Sequence, residues 1–273
     1  MPNPSLSPME EIAEAFAIDD YLYFHSDFLS PAHSDAETAA ICELMAIGPQ
    51  PTAPAGGAGY AQPLAILDLA CGFGRIANRL AARGQRVTGV EFMPGFLEIA
   101  RFEARQLASK IRRAGGSVDF RQGDMRAIDY EAAFDRVLMV FNSFGYFSDA
   151  ENRLVLANAA RALKPGGLLG FDIAHRDGVL NNFHAHYVSE KDGNLLINRF
   201  HFDPLTAILR NERIVIRDGQ RRDRPINMRL YSVTEISERL AEAGLQVTGI
   251  YEEWDATELR VDSPSLVVIA QKP

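Results

Sequence analysis

The stretch LAILDLACGFGR, residues 64–75, decides how this chain is read. Leu64 to Leu69 form a short apolar run, Gly72 and Gly74 follow, and RIANRLAARG (75–84) then carries helical spacing. A strand that enters a bend poor in side chains and leaves as a helix is the opening of a parallel βαβ unit. In such a unit backbone N–H groups approach a ligand and the helix adds its positive end. Gly72-x-Gly74-x-x-Ala77 also meets the spacing of a dinucleotide-binding turn. Glu91 follows about twenty residues later, where a carboxylate accepts bonds from ribose hydroxyls. A tight turn without a ligand is the plain alternative, and the bend alone leaves a dinucleotide and another adenosine cofactor both open.

Outward from the bend the alternation continues. RVTGVEF (86–92), SVDFRQG (117–123), FDRVLMVF (134–141) and LLGFDIA (168–174) read as strands, separated by the helical stretches PGFLEIARFEARQLASKIRRAGG (94–116) and DAENRLVLANAARALKPGG (149–167). Short apolar strands joined by amphipathic helices imply crossovers that cover both faces of a parallel sheet, a doubly wound α/β architecture. Pro94 suits a first helical turn, Gly84 and Gly115 suit helix C-termini, and Ser148–Glu151 and Ser232–Glu235 have capping-box spacing.

On the N-terminal side, GPQPTAPAGGAGYAQP (48–63) has no apolar period and reads as a linker behind a helical cap containing DYLYFHSDF (20–28) and DAETAAICELMAI (35–47). Beyond residue 178 the pattern changes to NLLINRFHF (194–202), AILRNERIVIRDG (207–219) and PINMRLY (225–231), joined by EKDGN, DPLT and RDGQ. Strands joined by such short turns run antiparallel, so this segment reads as an inserted β lid. SVTEISERLAEAG (232–244) returns as a helix, and LQVTGIYEEW and SLVVIAQK close the main sheet. The expected division is a cap and linker over 1–63, a cofactor-binding core over 64–178, an antiparallel lid on the substrate side over 179–231, and the rest of the core sheet over 232–273.

Composition narrows the function. With 273 residues, 47% of them hydrophobic and 23% charged, the chain buries a core of its own, and its net charge of −8 opposes a surface built to neutralise phosphates. Nucleic acid is therefore not an expected partner. Two cysteines, Cys42 and Cys71, make no disulfide framework. The first thirty residues are acidic and lack a targeting pattern, and no segment approaches the ~18 apolar residues of a membrane span, so a cytoplasmic protein without a membrane partner is expected.

Together these residues resemble the class I S-adenosylmethionine-dependent methyltransferases of the small-molecule, natural-product type. The family's first motif matches Asp68-Leu69-Ala70-Cys71-Gly72-Phe73-Gly74-Arg75, its second the acidic Glu91 ending strand two, and its third Asp124 in FRQGDMRAI. FDRVLMVFNSFGYFSD and ARALKPGGLLGFDIAHR resemble its fourth strand and Lys-Pro-Gly-Gly turn. One departure stands out: the first glycine of the turn is Ala70, and alanine there calls for a negative φ with a small backbone adjustment. The resemblance implies a Rossmann-like, seven-stranded, mostly parallel sheet with the lid and cap, and S-adenosyl-L-methionine as cofactor with S-adenosyl-L-homocysteine as product. It implies that Gly72 and Gly74 let the backbone approach the cofactor and that Asp68 organises its amino-acid end. Glu91 binds the ribose, Phe92 and Met93 pack on the adenine, Asp124 and Met125 flank it, and Phe141 and Asn142 lie near the transferred methyl.

Methyl transfer is an in-line displacement in which alignment and desolvation supply much of the acceleration, so a strong base is optional. Where a proton must leave, His175, just beyond strand five, is the first candidate base; a polar loop histidine is the competing reading. Tyr21 and Tyr23 in DYLYF resemble the aromatic segment that covers the cofactor in relatives acting on small natural products, and core aromatics read equally well. Tyr146 would line the same space and orient an acceptor, while Arg229 and Tyr231 fit substrate contact or lid anchoring equally. His184 and His186 have no further Cys or His at ligand spacing, so no metal is expected. Residues 199–229 hold eight arginines against four acidic residues, a hint of an anionic acceptor or simply a solvated strand face. The expected reaction is methylation of N or O on a small molecule by a monomer or homodimer. N is favoured by the likeness of lid and cap to amino-sugar N-methyltransferases; C-methylation and a nicotinamide-dependent oxidoreductase are the alternatives.

Overall fold

The computed structural model describes residues 8–48 and 62–273, so the linker read over 48–63 lies almost wholly outside the described residues. The main sheet has seven strands: β1 (Ala65–Leu69), β2 (Arg86–Glu91), β3 (Ser117–Gln122), β4 (Phe134–Met139), β5 (Leu163–Ala174), β12 (Gln246–Tyr251) and β13 (Ser265–Gln271), in the order β12-β13-β5-β4-β1-β2-β3. The five strands from β3 to β5 pair in parallel, whereas β13 runs antiparallel to β5 and β12 antiparallel to β13. The chain order reverses between β1 and β4, the switch point beside which open α/β sheets hold ligands.

Helices α4 (Arg75–Ala81), α5 (Pro94–Gln106), α6 (Ala108–Arg113), α7 (Asp149–Ala162) and α9 (Val233–Glu242) flank this sheet. Successive residues of each strand feed opposite faces. Ile66, Leu138 and Ile269 pack with Leu80 and Leu97 on one side, and Leu67, Val137 and Val268 pack with Leu156 and Leu240 on the other. Each such fully buried side chain is worth roughly 1.5–3 kcal/mol. Local signals act where they were read: Ser148 and Ser232 form complete capping boxes with Glu151 and Glu235, and Gly84 and Gly115 take φ of +92° and +76° beyond their helices. The single helix read over 94–116 is instead two, because Leu107, at φ −89° and ψ 0°, turns the chain between α5 and α6.

Between β5 and β11 the chain makes a short helix, α8 (Arg176–Asn181), and a second sheet. Its strands are β6 (His186–Lys191), β7 (Asn194–Asp203), β8 (Ile208–Asn211), β9 (Ile214–Arg217), β10 (Gln220–Asp223) and β11 (Ile226–Arg229), all antiparallel. β8 and β9 keep one register against β7 and are interrupted only at Glu212 and Arg213. This sheet is tied to the loop after β4, since Arg229 N–H donates to the Gly145 carbonyl at 2.7 Å.

The N-terminal cap is helical: α1 (Pro8–Ala15), α2 (Ile18–Phe24) and α3 (Pro31–Leu44). α3 lies against α4, where Glu37 pairs with Arg75 and Asp35 with Arg79. α2 reaches the second sheet: Asp20 accepts from Arg222 at 2.9 Å and from Arg217 at 3.3 Å. Among the described residues, no helix is long and apolar enough to cross a membrane.

Candidate active site

A cavity of about 1040 Å³, counting its open mouth, lies at the C-terminal edge of β1, β2 and β4 under α1 and α2. Its floor is the glycine bend. Ala70, Gly72 and Gly74 take φ of +54°, +53° and +78°, three left-handed residues within five. The expected negative φ at Ala70 is thus corrected: the turn keeps its shape, and the alanine bears the steric cost of its Cβ, about 1–2 kcal/mol. The two glycines serve different ends. A Cβ on Gly72 would meet nothing within 4 Å, so its backbone is bare toward the cavity, whereas one on Gly74 would strike Phe120 at 2.7 Å and Ala100 at 2.9 Å.

Two buried carboxylates stand over this floor. Asp68, 2% exposed, has its pKa pushed up to about 7 by burial, with Glu91 adding to the rise and Arg75 opposing it. Glu91, at the end of β2, accepts from Gly72 N–H at 3.0 Å and Met93 N–H at 2.8 Å. Burial raises its pKa as well. Phe92, Met93, Met125 and Phe147 make an apolar slot, and Asp124 lies at its rim, where Arg126 holds its carboxyl below the usual range against the effect of its partial burial. Arg126 also pairs with Glu151 and lies 4.4 Å above the Phe147 ring.

The end of β4 is the second fixed point. Phe141 and Asn142 are consecutive left-handed residues, at φ +68° and +56°, and both amides donate to one side chain, Asp172 on β5, each at 2.7 Å. Trp254 Nε1–H donates to the same carboxylate at 3.2 Å. Burial drives the Asp172 pKa up to about 6 against those backbone bonds. Asn142 is locked in turn: its Oδ1 accepts from Ala174 N–H at 3.0 Å, and its Nδ2 meets the Tyr146 hydroxyl at 3.4 Å and the Met228 sulfur at 3.3 Å.

The roof comes from the cap. Phe16, following α1, sets its ring edge-on to Tyr21 at 5.8 Å and to Tyr146 at 5.5 Å. Burial raises the pKa of both tyrosines, that of Tyr146 to about 12.

The cavity therefore brings together Tyr21, Asp68, Ala70, Gly72, Glu91, Phe92, Met93, Asp124, Met125, Phe141, Asn142 and Tyr146, with Gly74 packed directly beneath. Four candidates lie elsewhere. Tyr23 does not face the cavity; its hydroxyl donates to the Lys191 carbonyl at 2.9 Å and its ring lies 4.4 Å from the Arg217 guanidinium, so it fastens α2 to the second sheet. His175, 3% exposed, is buried outside the cavity, with Nδ1 2.9 Å from the Ser263 carbonyl, so it does not reach an acceptor as a base. Arg229 pairs with Glu235 at 2.8 Å and Asp149 at 3.2 Å, and the Tyr231 hydroxyl bonds Asp149 and Asn152, which makes both anchors of the sheet junction. Two residues not singled out beforehand belong to the site. Arg75, 5% exposed, lines the cavity beside Asp68. Asp172 holds the end of β4; its signal was a lone carboxylate in the otherwise apolar strand LLGFDIA.

Comparison with known proteins agrees with this geometry. A family model described as a methyltransferase domain matches residues 66–167. Putative methyltransferase YqeM of Bacillus subtilis is 28% identical over 214 residues, 76% of this chain and 83% of that protein. Further curated methyltransferases match over 104 to 128 residues, 38% to 43% of their own length. Among solved structures, the CcbJ methyltransferase from Streptomyces caelestis superposes with a TM-score of 0.71 at 21% identity, over 89% of this chain and 90% of that one. CalS10, an amino pentose methyltransferase from Micromonospora echinaspora with S-adenosylmethionine bound, superposes with a TM-score of 0.61 at 18% identity, over 100% of both chains.

Proposed function

We propose that this S-adenosylmethionine-dependent methyltransferase methylates an amine nitrogen of a small molecule. S-adenosylmethionine, when bound, supplies a methyl group on a sulfonium whose departure needs no acid. The residues present fit that group. Bare backbone at Gly72, two buried carboxyls and an apolar slot lie along one cavity, and each Glu91 oxygen spends one bond on backbone and keeps a lone pair for a ribose hydroxyl. Asp68 and Arg75 would hold the amino-acid end, Phe92, Met93 and Met125 the adenine faces, and Asp124 the exocyclic amine.

The observation that carries nitrogen is the chemistry of the opposite end. Its titratable lining groups are Tyr21 and Tyr146, phenols whose pKa values burial has raised, and no histidine or lysine lines the cavity among the described residues. An alcohol would need its proton taken during attack, and raised phenols are poor bases near neutrality. An amine that arrives as the free base brings its own lone pair. The chain's task is then alignment: Asp172 fixes the left-handed turn of Phe141 and Asn142, Asn142 braces Tyr146, and the phenol positions the nitrogen. The likeness to CalS10, an amino pentose methyltransferase, supports the same reading.

The test is to incubate the full chain with S-adenosylmethionine and matched primary amines, alcohols and activated carbon acids, and to locate the added methyl by mass spectrometry. N-methyl products are expected. Transfer confined to oxygen or carbon would overturn the assignment.

A further inference from the structure

The cap decides what the acceptor end of the cavity can hold. Met9 and Ile12 of α1 lie three residues apart and so on one helical face, and Phe16 continues that stripe just past the helix. All three are half-buried and line the cavity, whereas among the described residues none of the α1 glutamates lines it. Their place above the cavity is fixed at two points. α1 packs against β11, whose Met228 sulfur lies 3.3 Å from Asn142 Nδ2 at the end of β4. The Phe16 ring stands edge-on to Tyr146 at 5.5 Å and to Tyr21 at 5.8 Å. The apolar stripe therefore roofs the end of β4, beside which the methyl acceptor must lie.

Few polar groups remain there for a ligand. The Ser143 hydroxyl donates to the Val140 carbonyl at 2.9 Å, and the Asn142 side chain is committed to Ala174, Tyr146 and Met228. That leaves the pair of phenols. The arginines of residues 199–229 add no charge to the cavity: among the described residues none of them lines it, and Arg217, Arg221, Arg222, Arg224 and Arg229 each pair with a carboxylate. A polyol entering this end would lose water from several hydroxyls and regain two partners at most, an uncompensated cost that a hydrocarbon does not incur. Every methylene seated under the stripe is instead favourable. Such surroundings also favour the free base of an amine, because desolvation penalises the ammonium form.

We propose that the acceptor is an amine carried on an apolar body, an aliphatic chain or an aromatic ring, which lies beneath Met9, Ile12 and Phe16 while its nitrogen meets the hydroxyls of Tyr21 and Tyr146. The nitrogen rests on the amine reading above; the apolar body rests on the roof alone. A polyhydroxylated amine is then a poor acceptor, which separates this chain from the amino pentose methyltransferase it resembles in fold.

The experiment titrates the full chain, loaded with S-adenosylhomocysteine, with propylamine, hexylamine and glucosamine by calorimetry at one pH and ionic strength. Hexylamine is expected to bind at least tenfold more tightly than either of the others, gaining about two- to fourfold with each methylene beyond propylamine. In the double variant Ile12→Ala, Phe16→Ala its advantage over propylamine should fall below threefold, while S-adenosylhomocysteine affinity changes less than hexylamine affinity. Should that variant fail to fold, Met9→Ser decides instead, with the advantage expected to drop by at least half. An advantage under tenfold in wild type, or one over propylamine that survives the roof substitutions, overturns the proposal. So does a roof variant that loses more affinity for S-adenosylhomocysteine than for hexylamine, since the roof would then serve the cofactor. Hexanol supplies the remaining arm: methyl transfer to hexanol and not to hexylamine, beside roof-dependent binding of both, would sink the amine reading and leave the apolar acceptor standing.

Discussion

The two ends of the cavity are built on different electrostatic plans. At the glycine bend, Asp68 and Glu91 are carboxyls held in near-dry surroundings, 2% and 7% exposed, with raised pKa values. At the far end stand two phenols, Tyr21 and Tyr146, whose pKa values burial also raises. Buried acids without full compensation are costly to fold and favour a cationic occupant, whereas neutral phenols offer only hydroxyls to a polar group. One end therefore suits a sulfonium and ammonium, the other the neutral nucleophile of the proposed reaction. Beside them the Asp172 brace holds the end of β4.

The sharpest way to break this picture is at the brace. Asp172→Asn replaces one accepting oxygen by a donor that faces a backbone N–H, a loss of about 2–3 kcal/mol in a charge-assisted bond, so kcat should fall roughly 30- to 160-fold while the Kd for S-adenosylmethionine stays within about threefold. An equal loss in both would put Asp172 with the cofactor end. Next is Glu91→Ala, which should weaken S-adenosylmethionine by about 1–3 kcal/mol in calorimetry; unchanged affinity would refute its place on the ribose.

Asp68 separates stability from binding. Folding raises its pKa from an ordinary 3.8 to about 7, so the stability tied to its protonated form is complete below about pH 4 and lost as pH rises through about 7. At pH 8, without cofactor, Asp68→Asn should be more stable than wild type by something on the order of 2 kcal/mol in denaturant melts, yet bind S-adenosylmethionine less well. Ala70→Gly relieves the left-handed alanine and should add about 1 kcal/mol with no loss of affinity. The smallest effect is expected from His175→Gln: since His175 faces the Ser263 carbonyl rather than the cavity, kcat/KM should still climb with pH toward the acceptor's ammonium pKa, with no inflection removed.

The contrast also explains what could be read in advance. The acidic end was legible because strand, bend and strand end concentrate it within Asp68 to Asp124, and period-two strands with helical crossovers place those residues side by side. The misreading at the bend, the φ of Ala70, came from judging the residue by its own preference when the turn dictates the backbone. The far end joins Phe16, Tyr21 and Tyr146, about 130 residues apart at the extremes, and no spacing rule links a cap helix to the loop after a strand. Tyr21 and Tyr23 read alike in sequence, yet two positions apart on α2 they point about 200° apart, and only Tyr21 faces the cavity. His175 was chosen for its position at a strand end, a place where a histidine bonded to backbone looks the same in sequence as one aimed at a substrate.

The fastening of α2 has a mechanical consequence. Asp20, Tyr23 and the Ala15 carbonyl all bind the second sheet, while α3 is pinned to α4 through Glu37 and Arg75. Any widening that admits a bulky guest must therefore swing the first two helices and the six-stranded sheet together, like a hinged hatch, with the short connection from His25 to Ser30 and the junction near Gly145 taking the bend.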